Sequence, residues 1–142
     1  MKLLSAAAML AGLFTSSLAM AQAPDDAVFQ GLGGKAGIQK IVATLVPAMV
    51  ADPRIKDAFK DSDLKNLAMR LEQQFCALGG GPCKYEGKDM KEIHDGLNVT
   101  NAEFNAVAED LQIAMEQHGV APSVQNKLMA KLAPMQKTIV TK

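Results

Sequence analysis

Apolar residues in the first half of the chain recur with the period of an amphipathic helix. The first such stretch begins at Lys35 and ends at Asp52-Pro53. Its apolar positions follow the spacing i, i+3, i+4, i+7, i+8 and i+11: Ile38, Ile41, Val42, Leu45, Val46 and Met49. Pro47 lies inside this pattern, so we expect it to kink the helix or to remove one hydrogen bond. The short segment 55–59 that follows carries Phe59 inward.

A second stretch predicts another long helix. Asp61-Ser62-Asp63 offers caps before it, and Gly79-Gly80-Gly81-Pro82 ends it. One face of this helix carries a single apolar stripe: Leu64, Leu67, Ala68, Leu71, Phe75 and Leu78.

Two further long helices are predicted in the second half. Thr100-x-x-Glu103 is a capping box and opens a helix that ends at His118-Gly119. Ser123 can cap the last helix, which Pro134 interrupts. The inward positions of the two helices are Phe104, Val107, Ala108, Leu111 and Met115, then Val124, Leu128, Leu132, Met135 and Ile139.

Between the two halves lies a short helix over 90–95, which Asp89 can cap and Gly96 closes. A helix of this length is not stable alone, so something else must hold it, and a ligand that fills the interior is one candidate. No segment shows a convincing strand pattern. The predicted fold class is therefore all-α, with the four long helices forming two antiparallel pairs.

The first 21 residues predict a secretory signal peptide. Lys2 supplies a positive charge, a short apolar run follows, and Ala19-Met20-Ala21 is a typical cleavage site. We expect cleavage after Ala21, which leaves one mature domain, residues 22–142, in the periplasm or outside the cell. The alternative is an uncleaved anchor, but the run is short for a bilayer span and contains hydroxyl residues. We therefore expect no stable membrane anchor after cleavage.

Charge and composition exclude several classes of protein. The chain has 15 Lys and Arg against 15 Asp and Glu, so its formal net charge is zero. This balance argues against an electrostatic nucleic-acid binder, and the 49% apolar content argues against disorder. With 4% aromatic residues and no Trp, base-stacking platforms are also disfavoured.

Cys76 and Cys83 are the only two cysteines and lie seven positions apart. In the oxidising compartment that export implies, such a pair predicts a disulfide, and the alternative is two free thiols. Because the spacing is not Cys-x-x-Cys, a redox-active pair is disfavoured. The spacings of the two cysteines and two histidines do not fit a zinc site either.

His94 is the candidate metal ligand. It lies one turn after Met90 on the short helix and next to Ile93, and residues at i and i+4 share a face. An imidazole in this apolar setting can ligate a metal or a haem iron, whereas the alternative is an ordinary capping or surface histidine. His118 lies at a helix C-terminus, where the helix dipole favours an imidazolium, and we expect it to be structural.

The stretch GGPCKYEGKDMKEIHDGL, residues 80–97, places a double-glycine helix stop, Tyr85 and His94 at a characteristic spacing. Together with other matching positions, it makes residues 30–140 resemble the group 1 truncated haemoglobins, the small globins with a two-over-two helical sandwich. The other matches are Gly33-Gly34, Ala51-Asp52-Pro53-Arg54, Phe59, Thr100, Phe104 and Leu132-Ala133-Pro134-Met135. The resemblance covers nearly the whole mature chain.

This resemblance implies that the protein binds haem b, with His94 as the proximal ligand of the iron. Phe59 would pack on the distal face of the porphyrin, and Arg70 or Lys91 would meet a propionate. The other residues that the resemblance places around the haem are Leu67, Leu71, Phe75, Tyr85, Met90, Ile93, Val99, Phe104, Val107 and Leu111.

The distal side departs from the family's pattern. The best-known members carry a Tyr on the first long helix and a Gln on the second, whereas Val46 and Leu71 stand at those positions here, with Leu67 beside them. Arg70 and Gln74 lie nearby, but helical spacing aims neither squarely at this face. A polar gas ligand then loses a hydrogen bond of about 1.5–3 kcal/mol, which weakens O2 binding by roughly tenfold to a hundredfold. CO and NO are expected to be less affected.

The resemblance implies an exported haem protein that binds a diatomic gas, O2, NO or CO. An alternative is an enzyme, either an NO-detoxifying dioxygenase or a weak peroxidase. Dioxygenation needs a separate electron donor, and an apolar pocket lacks an acid–base group to cleave a peroxide, so gas binding is favoured. A haem-free helical interaction module is a third interpretation.

Overall fold

A computed structural model of the protein describes residues 25–142. The predicted signal peptide, residues 1–21, lies outside the described residues. Within 25–142 the chain is helical and contains no strand, as predicted. The helices are α1 (Ala27–Gly31), α2 (Gly34–Ala51), α3 (Leu64–Leu78), α4 (Met90–His94), α5 (Asn101–Gln117), α6 (Pro122–Leu132) and α7 (Gln136–Ile139), with 3-10 turns at Lys56–Phe59 and Ala133–Met135.

The long helices pair around one core. Helix α2 packs against α3, and α5 packs against α6 and α7. Helix α2 also packs against α5, and this contact joins the pair α2–α3 to the pair α5–α6. The largest side chains that are almost completely buried come from α2, α3, α5 and α6: Ile38, Ile41, Val42, Leu45, Cys76, Met115 and Leu128. Within 25–142, no helix has the length and apolar character that crossing a bilayer requires.

Helix α2 continues through Pro47 without a break. Proline has no N–H to donate, so one intrahelical hydrogen bond is missing at this point. Pro47 is exposed, whereas Val46 and Met49 beside it are buried. The missing bond therefore falls on the solvent side, and the buried face of the helix stays regular.

Most of the predicted caps are confirmed. The Asp63 carboxylate accepts a hydrogen bond from the Asn66 N–H at 3.0 Å, and Thr100 and Glu103 form the reciprocal capping box. The prediction that Ser123 caps the last helix is wrong, because α6 begins at Pro122 and has no side-chain cap. A proline in the first turn replaces the cap here, since it has no N–H to satisfy. Pro134 interrupts the last helix as predicted.

The glycine turn after α3 is the place where α1 docks. The Phe29 N–H donates to the Gly79 carbonyl at 2.9 Å. Gly80 has φ +81°, a conformation that favours glycine, and a Cβ at Gly81 would lie only 2.8 Å from Cys76 Sγ. Both the backbone conformation and the close approach of the two segments therefore require this glycine run.

A corner of charged residues joins the end of α2 to α5. The Arg54 guanidinium donates to Asp52 at 2.7 Å and to Glu109 at 2.6 Å, and its hydrogen bonds lower the pKa of the Asp52 carboxyl. Asp110 on α5 is only 8% exposed, and its Oδ2 atom has no hydrogen-bond partner. Burial, with repulsion from Asp52, raises the pKa of Asp110 above its usual value.

Because the folded protein holds the Asp110 proton more tightly than the unfolded chain, this group favours folding below about pH 3.8. The contribution is lost as the pH rises through the raised pKa. We expect Asp110→Asn to raise the free energy of unfolding at pH 7 by about 1 kcal/mol and to have little effect at pH 3. Urea unfolding at both pH values checks this, with the exposed Asp61→Asn as control. Equal effects of Asp110→Asn at both pH values would contradict the assignment.

Candidate functional site

Helix α4 presents His94 from only five residues. It is capped by Asp89, whose carboxylate accepts from the Glu92 N–H at 2.7 Å as the sequence predicts. Lys88 and Glu92 form an exposed ion pair across its first turn. The helix packs against α7, so the last helix of the chain supports it.

The orientation of the His94 imidazole is fixed by the backbone of its own helix. Its Nδ1 lies 2.7 Å from the Met90 carbonyl oxygen. A carbonyl can only accept, so Nδ1 carries the proton and donates, and in the neutral ring Nε2 then keeps its lone pair. The ring is half-buried. This is the tautomer and fixed orientation that a histidine needs in order to bind a metal through Nε2.

The segment after His94 is tied to the end of the chain. The Val99 carbonyl accepts from the N–H of Thr141 at 3.0 Å and of Lys142 at 3.3 Å. Val99 is half-buried. The loop between α4 and α5 is thus held by residues that follow α7.

The apolar stripe of α3 is the other wall of the candidate site. Leu67 and Leu71 are half-buried and pack against the edge of the core, while Phe75 is buried. Val46 on α2 lies within the core cluster with 7% exposure. The three residues predicted on the distal side, Val46, Leu67 and Leu71, therefore bring only apolar atoms.

Helix α3 also carries a polar network toward the loop before α4. Arg70 donates to Gln73 Oε1 at 3.0 Å, and the same oxygen accepts from the Glu86 N–H at 3.3 Å. The Tyr85 hydroxyl donates to the Lys88 carbonyl at 2.8 Å, and burial raises the pKa of this hydroxyl. Arg70 and Tyr85 thereby hold the loop that leads to His94. Lys91, the other predicted propionate partner, is exposed on α4.

Gln74 is a polar residue whose placement the sequence analysis missed. Its Nε2 lies 3.3 Å from Met90 Sδ and 3.8 Å from Met135 Sδ. The side chain therefore points from α3 toward α4, at Met90. The signal was present, because Leu67, Leu71 and Gln74 follow the spacing i, i+4 and i+7 of a single helix face.

A disulfide bond links α3 to the same loop that the Arg70–Gln73–Glu86 network holds. Cys76 near the end of α3 is bonded to Cys83 in the following loop, with the two Cα atoms 5.7 Å apart. Cys76 is almost completely buried. The bridge links the helix that carries the apolar wall to the loop that carries Tyr85.

The model of the bacterial-like globin family matches residues 27–141. The chain belongs to this family. A group 1 truncated haemoglobin of Tetrahymena thermophila is 35% identical over 97 residues, which are 68% of this chain and 80% of that protein. Another, from Mycolicibacterium paratuberculosis, is 26% identical over 114 residues, 80% of this chain and 84% of that protein.

Solved structures give the same result. The Fe(III) form of the truncated haemoglobin from Tetrahymena pyriformis has a TM-score of 0.78 and 30% identity, and the match covers 81% of this chain and 98% of that one. The predicted resemblance to the group 1 truncated haemoglobins and the predicted two-over-two helical fold are therefore confirmed. Membership of this globin family implies haem-based binding of diatomic gases such as O2.

The residues of this globin fit a haem group. Five large apolar side chains among residues 25–142 are more than a third exposed, and four of them belong to α3 or to α4 and its following loop: Leu64, Met69, Ile93 and Leu97. Leu64 shares the helix face of Leu67 and Leu71, whereas Met69 lies on the opposite face of α3. A large apolar group against α4 and its following loop would cover Ile93 and Leu97. When bound, haem would supply an iron that can bind an imidazole and a diatomic gas, and His94 is the residue that would hold it.

The remaining predicted haem contacts lie on α5 and in the corner before α3. Phe104 and Val107 are half-buried and Leu111 is buried. Phe59 is half-buried and lines a groove of about 500 Å³ with Val50 and Leu64. His94 is not among the residues that line this groove.

His118 is placed far from the candidate ligand position. Its Nε2 lies 2.7 Å from the Thr44 hydroxyl oxygen, so it joins the end of α5 to α2. It also lines a separate cavity of about 330 Å³ with residues such as Gly33 and Lys40. The structure therefore gives His118 a bridging contact in addition to its place at the helix end.

These positions distinguish the two histidines by experiment. If His94 ligates the iron as the sequence predicts, His94→Ala should change the Soret band of the ferric and ferrous protein. His118→Ala serves as the matched control and should leave the spectrum unchanged, since it removes only the contact with Thr44. Absorption spectra of the haem-loaded variants measure both effects, and a Soret shift in His118→Ala would contradict the assignment of the ligand.

Proposed function

We propose that this protein is an exported haem b globin that binds a diatomic gas reversibly, with His94 as the proximal ligand. The observation that carries the proposal is the His94 ring, which the Met90 carbonyl holds with its Nε2 lone pair free. Ligation through Nε2 would also stabilise α4, which is too short to persist without support.

The chemistry of the opposite wall supports gases that need no hydrogen bond. Val46, Leu67 and Leu71 offer no donor to a ligand. A gas that gains little charge on binding, such as CO or NO, loses little binding free energy when no donor is present. O2 becomes polar when bound, so the missing hydrogen bond costs it more binding free energy. We therefore propose that the protein discriminates less in favour of O2 than globins with a distal Tyr and Gln. A separate electron donor would keep the iron reduced.

Two measurements on the mature protein test this function. Wild-type protein loaded with haem should show a Soret band that shifts on reduction and again with CO. Leu71→Gln introduces a donor on the α3 face and should slow O2 dissociation by about tenfold, which stopped-flow displacement with CO measures. The variant Lys65→Gln, at an exposed position on the same helix, should leave the rate unchanged. Absence of stoichiometric haem uptake would overturn the proposed function.

We also propose that the protein works in the periplasm or outside the cell. The signal-like sequence that ends at Ala19-Met20-Ala21 supports this location. The Cys76–Cys83 disulfide supports it as well, because such bridges persist in oxidising compartments and are rare in the cytosol.

The mass of the purified chain tests export directly. Expressed with its full sequence, the protein should be recovered from the periplasmic or extracellular fraction with Gln22 as its first residue. Thiol titration of the unfolded, unreduced protein should detect no thiol. The same titration after reduction should detect both cysteines. A cytosolic product that still carries Lys2 would contradict the proposed location.

A further inference from the structure

Two methionine sulfurs lie beside the side-chain amide of Gln74. Its Nε2 atom is 3.3 Å from Met90 Sδ on α4 and 3.8 Å from Met135 Sδ in the 3-10 turn before α7. A thioether is only a weak hydrogen-bond acceptor. The amide can therefore still gain from a stronger acceptor at the same place. All three side chains are half-buried rather than enclosed in the core.

Three other methionines provide a comparison of exposure. Met49 and Met115 lie in the core with 3% and 0% exposure, so a dissolved oxidant does not reach their sulfurs in the folded protein. Met69 is 43% exposed and open to solvent. Met90 and Met135 lie between these extremes, and both have an N–H donor next to the sulfur.

Oxidation to the sulfoxide turns an apolar thioether into a polar, chiral group. The sulfoxide oxygen stands between the sulfur and a donor, so the sulfur and the donor nitrogen lie farther apart than in a thioether contact. The N–H···O bond itself takes about 2.9 Å between nitrogen and oxygen. The 3.8 Å separation at Met135 leaves room for a bent contact of this kind, whereas the 3.3 Å separation at Met90 is tighter.

We infer that Met135 is a site of reversible oxidation by hydrogen peroxide, at which the Gln74 amide holds the sulfoxide oxygen. A lone pair of Met135 Sδ attacks one peroxide oxygen, and the S–O bond forms as the O–O bond breaks. The sulfur is oxidised by two electrons. The other oxygen leaves as hydroxide and takes the proton of the first, which gives water. This inference does not depend on the proposed function.

The new hydrogen bond would join α3 to the turn that leads into α7. Helix α7 packs against α4, which carries His94. A sulfoxide without a donor disrupts the apolar packing around it. With the Gln74 donor in place, oxidation of Met135 replaces a weak contact by a stronger one, and the support of α4 by α7 is kept.

Peroxide treatment followed by peptide mass spectrometry tests the site. The mature protein is treated under CO, which occupies the iron of any bound haem. We expect sulfoxide at Met135 and at the exposed Met69, and none at the buried Met49 and Met115. Oxidation of Met69 with none at Met135 would overturn the inference.

The handedness of the sulfoxide reports the Gln74 contact. The two sulfoxide epimers are reduced by two different methionine sulfoxide reductases. Because the Gln74 amide lies on one side of the Met135 sulfur, one of these enzymes alone should restore nearly all of Met135, whereas Met69 should need both. Equal restoration of Met135 by either enzyme would overturn the role of the amide. This measurement on the wild type needs no variant, so it decides the inference even where a variant does not fold.

The variant Gln74→Leu removes the donor and keeps an apolar side chain next to the two sulfurs. The quantity compared is the change in melting temperature on oxidation, because effects of the other methionines are common to both proteins. We expect this change to be more negative in Gln74→Leu than in the wild type by about 4 °C. Gln112→Leu is the matched control, since Gln112 is exposed on α5 and bonds to Glu116, and it should respond as the wild type does. Equal changes in the wild type and Gln74→Leu would overturn the inference.

Discussion

The hydrogen bond from His94 Nδ1 to the Met90 carbonyl is the interaction on which the site depends. It orients the half-buried His94 imidazole, and it does so inside a helix of five residues. Such a helix cannot supply its own stability, since most of its backbone groups belong to its ends. The Asp89 cap, the packing of α7 and the loop contacts of Tyr85 therefore act together to hold one side chain.

The neighbouring helix is braced in a comparable way. The end of α3 is held by the docking of α1 on the glycine turn, by the Cys76–Cys83 bridge and by the Arg70–Gln73–Glu86 network. These contacts all lie near the C-terminal half of α3 or just beyond it. They fix the C-terminal half of α3 relative to the loop that leads to α4.

Local patterns were enough to predict the helices and most of their caps. The stripes on α2 and α3, the Asp63 and Asp89 caps and the Thr100–Glu103 box all depend on residues close in sequence, and the structure has each of them. The start of α6 was predicted wrongly because Ser123 and Pro122 are both good helix openers and the proline took the first turn. The resemblance, not the periodicity, singled out His94 as an iron ligand.

What sequence did not reveal depends on contacts between distant segments. Arg70, Gln73 and Gln74 are all polar residues of α3, yet Arg70 and Gln73 turn to the loop and Gln74 turns to Met90 and Met135. The bridge from His118 to Thr44 and the unpartnered Asp110 carboxylate likewise arise only when α2 and α5 meet. Helical spacing gives the direction of a side chain but not the acceptor that it finds.

The bonds from Thr141 and Lys142 to the Val99 carbonyl have a consequence for synthesis. The segment that follows His94 is held by residues made some forty positions later, so a nascent chain cannot finish this part of the molecule while those residues are still in the ribosome tunnel. For a chain that crosses a membrane unfolded, the same residues would also be among the last of this sequence to arrive. Completion of the loop between α4 and α5 is therefore a late event, which follows synthesis of the last helix.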